Sequence, residues 1–336
     1  MKTLILKRLC FVLPQLVLVA AVVFVLLRIL PVDPVDRIAG QFATPELRAQ
    51  VEEELGLDRS LGTQLGSYLA GIFQGDFGTS WLTSDPVREE MVERFPLTLQ
   101  LITLAFFVAL AIAIPLGRAS AAREGSRVDK AAQSYSLFAG AQPDFWWGLM
   151  FLFLFFFKAG ILPAPLGVLT PGRQAPDEIT HFILLDALIR GQLGVFVDAL
   201  RHLALPVITL AFVLTGPFTK MTRQSVLSVS KSEYMLYADA TGLSERAMKR
   251  SLLRNGLAPV LTLAAIFFGF LLGGAALIET VFTLNGLGLY AVQRMLVVDF
   301  PAVQGVVVWM TAFALLMYLI MDLLYAALDP RVRYSE

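Results

Sequence analysis

Residues 257–282 read LAPVLTLAAIFFGFLLGGAALIETVF, an apolar stretch with a single charged residue, Glu279. About twenty apolar residues in a helix cross the roughly 30 Å of hydrocarbon in a bilayer, so this stretch predicts a membrane-spanning helix. The whole chain has the same character, because 57% of its 336 residues are hydrophobic and only 16% are charged. Soluble domains carry about 25% charged residues. The composition therefore predicts an integral membrane protein and excludes an ordinary water-soluble enzyme.

Six such stretches follow one another along the chain. The predicted spans are 9–30, 97–117, 131–157, 202–221, 257–282 and 302–328. Lys and Arg are retained on the cytoplasmic side of a membrane, so their distribution predicts orientation. With the N-terminus inside, the cytoplasmic segments hold 16 of the 27 basic residues but only 8 of the 27 acidic ones. The sequence predicts an all-α protein with six transmembrane helices and both termini in the cytoplasm.

The segments between the spans suggest the domain organisation. Residues 1–30 form an N-terminal transmembrane helix, and 31–96 form an external subdomain with a helix that begins after Thr44. Residues 97–336 form a core of five transmembrane helices. This core includes an external segment, 158–201, and a cytoplasmic loop, 222–256. In the external segment, charged residues interrupt an apolar face too short to span, which predicts that this part lies at the membrane interface or caps an external mouth. They are Asp186, Arg190, Asp198 and Arg201.

Two further classes of function are disfavoured by residue counts. Lys and Arg together number 27, as do Asp and Glu, so the chain lacks the basic excess typical of nucleic-acid binding. One cysteine, Cys10, allows no internal disulfide, and His181 and His202 do not suffice for a His-rich metal site. We expect no metal centre.

The most informative loop lies between the fourth and fifth spans. Residues 231–259 read KSEYMLYADATGLSERAMKRSLLRNGLAP. The pattern predicts a first helix, a break at Gly242, and a second helix that begins after Ser244 as N-cap, with Glu245 at the positive end of its dipole. Two short helices that meet at a glycine form a protruding element. An amphipathic hairpin held on the inner leaflet by its basic side chains is the alternative.

This loop resembles the EAA-type loop of ATP-binding-cassette importer permeases, in particular the dipeptide and oligopeptide branch, which reads close to E-Y-x-x-x-A-R-A-K-G-L-S and later L-R-N-A. The matching positions are Glu233, Tyr234, Ala238, Ala240, Gly242, Leu243, Ser244, Leu253, Arg254 and Asn255. The positions that depart from the family pattern are Asp239 for Arg, Thr241 for Lys, Ser251 for His and Gly256 for Ala.

The resemblance extends over nearly the whole chain and is greatest to the dipeptide-type first permease subunit. The further segments that resemble this family are LRILPVDPV at 27–35, QGDFGTSW at 74–81, AQPDFWWGLM at 141–150, IETVFTLNGLGL at 278–289 and MDLLYAALDPRVRY at 321–334.

The resemblance implies the transmembrane domain of a type I importer in the bacterial plasma (inner) membrane, with multiple spans. The implied partners are a second homologous permease subunit, two cytoplasmic ATPase subunits, an extracytoplasmic substrate-binding protein and the lipid bilayer. The 231–259 loop would couple the permease to the ATPases. The chain has no G-x-x-x-x-G-K-[ST] phosphate loop, so it is expected to be a non-catalytic subunit without a cofactor of its own, with ATP and Mg²⁺ bound by the partners.

The resemblance favours short peptides as substrate. Relatives with the same architecture import nickel chelates, glutathione or haem, and these stay as alternatives. An intramembrane enzyme is disfavoured because the sequence has no H-E-x-x-H or G-x-S-x-G motif. A stand-alone carrier would lack a duplicated half and would leave the coupling loop unexplained.

Two acidic residues inside predicted spans are candidates for the pathway. Asp144 follows Pro143 in the third span, where an uncompensated charge costs about 2.5–3.5 kcal/mol. It either meets a cationic group such as a peptide amino terminus, or is a neutral or hydrogen-bonded acid near the outer interface, or is satisfied by backbone groups that the proline frees. Glu279 either lines the external mouth or forms an outer cap or ion pair with a group such as Arg294.

Overall fold

The structure, a computed structural model, describes residues 2–31, 33–40 and 42–328. Over these residues the chain is built from helices, and no strand is present apart from one isolated β-bridge between Thr79 and Pro86. Two sets of residues used in the sequence analysis lie outside the described residues. One is Val32, in the 27–35 segment that resembles the family. The other is the 329–336 tail, whose charged residues were counted for the predicted orientation.

The helices follow in this order: α1 Lys2–Ile29, α2 Pro34–Ile38, α3 Pro45–Glu54, α4 Leu61–Gln74, α5 Val87–Ala122, α6 Arg127–Ala139, α7 Asp144–Phe151, a π-helix Leu152–Lys158, α8 Ile183–Ile189, α9 Leu193–Ser230, α10 Glu233–Ala240, α11 Glu245–Gly256, α12 Ala258–Val281, α13 Leu287–Leu296 and α14 Phe300–Leu328. The predicted helix after Thr44 is α3, and the Thr44 hydroxyl accepts a hydrogen bond from the Leu47 N–H at 3.3 Å.

Five helical stretches among the described residues are long and apolar enough to cross a membrane. They are Phe11–Ile29, Val87–Ala122, Leu193–Ser230, Glu245–Val281 and Phe300–Ile320. Each contains or overlaps one of the predicted spans, so five of the six predicted spans agree with the structure.

The third predicted span, 131–157, is divided in the structure. Helix α6 ends at Ala139 with Gly140 as its C-cap, and α7 begins at Asp144 with Pro143 as its N-cap. Pro143 has no N–H to donate and its ψ of 150° is extended, so the α-helix does not continue through this residue. The predicted span 131–157 is therefore made of more than one helix.

The fourth predicted span begins earlier than expected. Helix α9 starts at Leu193 rather than at 202, so the end of the predicted external segment 158–201 belongs to a long helix. Asp198 lies on that helix and accepts hydrogen bonds from the N–H and the hydroxyl of Thr170, at 2.9 and 2.8 Å. Arg173 lies 3.4 Å from the same carboxylate. These partners satisfy one of the charges that interrupt the apolar face in the sequence.

The chain divides into two compact units, 1–97 with 285–316, and 98–284 with 317–336. In the first unit, α1 packs on α4, and the rings of Phe24 and Tyr68 stack with their centroids 5.6 Å apart. The core of this unit is a cluster of buried side chains: Val87, Met91, Leu287, Tyr290, Ala302 and Val306.

Helix α9 is the centre of the second unit, where α6, α7, α8, α11 and α12 all pack against it. At Gly117 the α5 and α9 backbones approach closely, because a Cβ atom at this position would lie 2.8 Å from the Thr219 carbonyl oxygen and 2.6 Å from Thr222 Cβ. The sequence does not predict this contact.

Candidate coupling surface and buried charge clusters

The 231–259 loop has the predicted form of two helices, α10 and α11, that meet at Gly242. Gly242 has φ +77°, in the left-handed region where side chains with a Cβ are strained. The N–H of Gly242 donates to the Asp239 carbonyl oxygen and that of Leu243 to the Ala238 carbonyl oxygen, both at 3.0 Å. These bonds satisfy carbonyl groups at the end of α10 and fix the angle at which the chain leaves it.

The second helix of the loop is capped as the sequence predicts. The Ser244 hydroxyl accepts a hydrogen bond from the Ala247 N–H at 3.4 Å, and Glu245 occupies the first turn. Glu245 also forms an ion pair with Lys249 at 2.8 Å, one turn further along. The helix start is therefore specified locally.

Two residues that match the family pattern tie the helices of the loop together. Asn255 Nδ2 donates to the Tyr234 hydroxyl at 3.0 Å and to the Ser251 hydroxyl at 3.3 Å. Tyr234 lies on α10, whereas Asn255 and Ser251 lie on α11. The serine that departs from the family pattern thus supports the same contact. The two helices are joined as one element.

The loop is anchored to α9 through Gly256. A Cβ at Gly256 would lie 3.2 Å from Val226 Cγ2, so the absence of a side chain permits close packing on that helix. Gly256 is buried. This contact gives a physical reason for glycine at a position where the family pattern has alanine.

The outer face of the loop presents large apolar side chains, which we name the coupling surface: Leu236, Tyr237 and Leu243, which are 62%, 72% and 46% exposed. Met235, next to Leu236, is buried, which shows that α10 has an inner and an outer face. The remaining positions of the motif that are exposed are Glu233, Tyr234, Ala240, Gly242, Ser244, Arg254 and Asn255, and Ala238 and Leu253 are half-buried. A cluster of exposed apolar side chains on a structured loop is typical of a protein-binding surface.

An ion pair that was not predicted from the sequence joins α6 to α9, with Asp129 buried and Arg223 half-buried. Arg223 on α9 donates to both carboxylate oxygens of Asp129, at 2.5 and 2.8 Å. The Ser120 hydroxyl, the Gly125 N–H and the Gln133 amide also donate to this carboxylate. The Arg223 guanidinium, followed by these other donors, holds the pKa of Asp129 well below its usual range.

The sequence contained a local signal for one member of this cluster, Asp129. Ser126 and Asp129 have the S-x-x-D spacing of a capping box, and the Ser126 hydroxyl accepts a hydrogen bond from the Asp129 N–H at 3.3 Å. The spacing indicates the start of α6. It gives no information on Arg223, which is 94 residues away.

Asp144, a predicted pathway residue, is the first residue of α7 and is half-buried. Its Oδ1 accepts a hydrogen bond from the Phe145 N–H at 2.8 Å. Its Oδ2 lies close to α12, because a Cβ on Gly274 would be 3.2 Å from that oxygen. The carboxylate therefore has a backbone donor at a helix N-terminus, where negative charge is favoured.

Glu279, the other predicted pathway residue, is fully buried and accepts a hydrogen bond from the Thr98 hydroxyl at 2.6 Å. The suggested partner, Arg294, forms its ion pair with Glu90 at 2.7 Å. The Tyr290 hydroxyl donates to the other oxygen of Glu90 at 2.6 Å. Asp299 is a second carboxylate near Arg294, at 4.0 Å. Glu90, the nearer partner, was not singled out in the sequence.

The fold defines an apolar, multi-helical protein with helices long enough to cross a membrane and a structured loop that exposes apolar side chains. Residues 113–334 match the family described as "Binding-protein-dependent transport system inner membrane component", and residues 1–102 match "Binding-prot-dependent transport system membrane comp, N-term". The chain belongs to this family of membrane components of binding-protein-dependent transport systems.

Several curated relatives are similar over almost their full length. The "Dipeptide transport system permease protein DppB" of Escherichia coli (strain K12) is 36% identical over 341 residues, which cover 99% of each chain. The "Probable D,D-dipeptide transport system permease protein DdpB" of the same strain is 38% identical, over 94% of this chain and 92% of the relative. The "Di/tripeptide transport system permease protein DppB" of Pseudomonas aeruginosa (strain UCBPP-PA14) is 34% identical over 98% of each.

Proposed function

We propose that this chain is the permease subunit of an ATP-driven importer for short peptides and forms half of the translocation pathway. Three relatives similar over nearly the full chain are named for dipeptide, D,D-dipeptide and di/tripeptide transport, which supports the peptide substrate. The observation that carries the proposal is the coupling surface, since a subunit that is driven by another protein needs a surface on which that protein acts.

In the proposed mechanism, each of two cytoplasmic ATPase subunits binds the coupling loop of one permease subunit. Leu236, Tyr237 and Leu243 would be buried in a groove of the ATPase, because their exposure to water is unfavourable. ATP and Mg²⁺ are bound by the ATPases, and this chain performs no hydrolysis. Closure of the ATPases moves the loops and shifts the permease pair between inward-open and outward-open states.

The contacts of the loop support transmission of that movement. The Asn255–Tyr234 hydrogen bond joins α10 to α11, and the packing of Gly256 on Val226 joins α11 to α9. A displacement of the coupling surface is therefore passed to the central helix of the second unit instead of being lost in a flexible loop.

The proposed arrangement in the membrane has six spans with both termini in the cytoplasm. The third crossing is the predicted span 131–157, which contains most of α6, all of α7 and nearly all of the π-helix. The partners are a second homologous permease, two ATPases and an extracytoplasmic binding protein that delivers the substrate. The proposed location is the bacterial inner membrane.

Asp144 is proposed to face the pathway, where a half-buried carboxylate could meet the amino terminus of a peptide. Glu279 is proposed to hold the helices at the external mouth, because it is fully buried and bonded to Thr98. In this mechanism the first residue contacts substrate and the second has a positioning role.

The test is peptide-stimulated ATP hydrolysis by the complete transporter, reconstituted in proteoliposomes with its binding protein. Wild-type complex should respond to a dipeptide. A complex with Gly242→Val in this chain should assemble in the membrane yet lose the stimulation, because a branched side chain at φ +77° changes the angle between the loop helices. Unchanged stimulation in this variant would refute the coupling role.

A further inference from the structure

A cavity of about 550 Å³ lies within the first unit, between the end of α1, helix α4 and residues 76–84. Its volume falls in the range of about 300–1,000 Å³ that is typical of small-molecule sites. Part of the wall is apolar and aromatic and includes Phe24, Phe77 and Trp81. None of the functions proposed above uses this cavity.

Three polar side chains that line the cavity have a buried atom without a hydrogen-bond partner: Arg28 Nη1, Tyr68 Oη and Gln304 Nε2. Eight such side-chain atoms occur among the described residues, and three of them lie at this one cavity. Gln304 is only 5% exposed. Buried donors without partners are costly, so their concentration here points to a ligand that accepts hydrogen bonds.

Arg28 indicates that the part of the ligand next to it is negatively charged. Its Nε and Nη2 donate to Gln64 Oε1 at 3.2 and 3.1 Å, and its guanidinium lies 4.5 Å from the centre of the Phe24 ring. No carboxylate of the described residues lies within ion-pair distance of Arg28. Burial raises the pKa of the Tyr68 phenol, so its hydroxyl keeps the proton and can donate.

The position of Arg28 indicates where such an anion comes from. Arg28 is in the last turn of α1, and neighbouring residues of that helix, Leu26 and Ile29, are exposed apolar side chains that suit lipid. The end of a membrane-spanning helix lies at the level of the lipid headgroups. Phosphate groups of membrane lipids are therefore the anions closest to this cavity.

The acidic residues of the cavity wall restrict the ligand further. The wall carries two carboxylates, Glu54 and Asp76, and two guanidinium groups, Arg28 and Arg59. A headgroup with both a phosphate and an amine offers a partner of opposite charge to both kinds of group, whereas a purely anionic headgroup offers none to the carboxylates.

We propose that this cavity binds the phosphoethanolamine headgroup of a membrane phospholipid. The phosphate accepts hydrogen bonds from Arg28, Tyr68 and Gln304, and the ammonium group lies on the side of Glu54 and Asp76. The acyl chains lie along the apolar surface of α1. The lipid then fills the cavity and fixes the end of α1 against α4.

The test is binding of short-chain phosphatidylethanolamine to the purified full-length chain, measured by native mass spectrometry and by the rise in Tm. Wild type should bind the lipid, and Gln304→Leu and Arg28→Gln should each weaken binding about tenfold, because each loses a hydrogen bond to a charged group. Gln304→Leu keeps the test valid if Arg28→Gln fails to fold.

The matched control is Gln100→Leu. Gln100 is also a buried glutamine with an unpartnered Nε2, but it does not line the cavity, so this variant should bind like wild type. Parallel titrations use phosphatidylglycerol of the same chain length, inorganic phosphate and dialanine.

Four results would overturn the proposal. They are equal lipid binding by all variants, no lipid binding by wild type, equal binding of phosphatidylglycerol, and variant-dependent binding of inorganic phosphate or dialanine in place of the lipid. The last result would identify a free-anion or peptide site.

Discussion

The buried ion pair between Glu90 and Arg294 gives a prediction whose size follows from the structure. Both side chains are 8% exposed, and Arg294 Nη2 lies 2.7 Å from Glu90 Oε1. The substitution Glu90→Gln keeps the shape of the side chain but leaves the arginine charge buried. The next carboxylate, Asp299, is 4.0 Å from Arg294 and already accepts the Ser80 hydroxyl at 2.5 Å. Loss of one partner of a buried pair costs about 3–5 kcal/mol.

The control for this prediction lies on the same helix. Glu93 is 70% exposed and lies 3.7 Å from Arg94. Glu93→Gln should change the free energy of unfolding by less than about 0.5 kcal/mol, since exposed pairs contribute little. The double variant Glu90→Gln, Arg294→Met removes both charges and should recover part of the loss.

The assay is thermal unfolding of the purified chain in detergent, with retention of monodisperse protein as a second measurement. Glu90→Gln should unfold at a clearly lower temperature than both wild type and Glu93→Gln. If the two single variants had the same Tm, or if the double variant were less stable than Glu90→Gln, the pair would not be a buried charge interaction of the kind described.

Three further predictions address the second unit. Gly117→Ala should destabilise the chain by about 1–3 kcal/mol through overpacking against Thr222. Gly273→Ala is the control, because no atom lies within 4 Å of the added Cβ. Tm values in detergent compare the two variants, and an equal fall in Tm would contradict the close approach at Gly117. The pKa of Asp129 is depressed in the folded state, so its ionised carboxylate stabilises the fold above its unfolded pKa, about 3.9, and this stabilisation is lost as pH falls towards the folded pKa. Asp129→Asn should therefore reduce the loss of stability on acidification below roughly pH 5. An acid-induced loss equal to that of wild type would refute this. Tyr237→Ser should reduce peptide-stimulated ATP hydrolysis severalfold without lowering the Tm, since its side chain is 72% exposed; normal stimulation would show that it lies outside the ATPase contact.

The sequence predicted those features that depend on local pattern. Apolar runs predicted the five stretches of the described residues that are long enough to cross a membrane. Gly242 and Ser244 predicted the two helices of the coupling loop. Both signals are local because hydrophobic length, helix caps and positive φ are decided within a few residues. The family resemblance added the interpretation of the loop.

The features that the sequence did not predict depend on distant partners. Glu90 and Arg294 are 204 residues apart, and Asp129 and Arg223 are 94 apart. No periodicity indicates such pairs. The early start of α9 has the same cause, because Thr170 and Arg173 satisfy Asp198 from another part of the chain.

The small-residue pair in α12 shows how tertiary contacts separate positions that look equivalent in sequence. Gly269 and Gly273 have the spacing of a helix-packing face. A Cβ at Gly269 would clash with the Tyr318 hydroxyl oxygen, whereas one at Gly273 would meet nothing within 4 Å. Within this chain only the first position is a packing contact.

Helix α9 has a mechanical consequence that follows from its length. Its 38 residues extend over about 57 Å at 1.5 Å per residue, nearly twice the thickness of a hydrocarbon layer. Arg223 clamps it near one end and Asp198 near the other. Because both ends are tied to other segments of the second unit, the helix links those segments to one another along its length. A shift of the segment held at Arg223 is therefore transmitted to the segment held at Asp198.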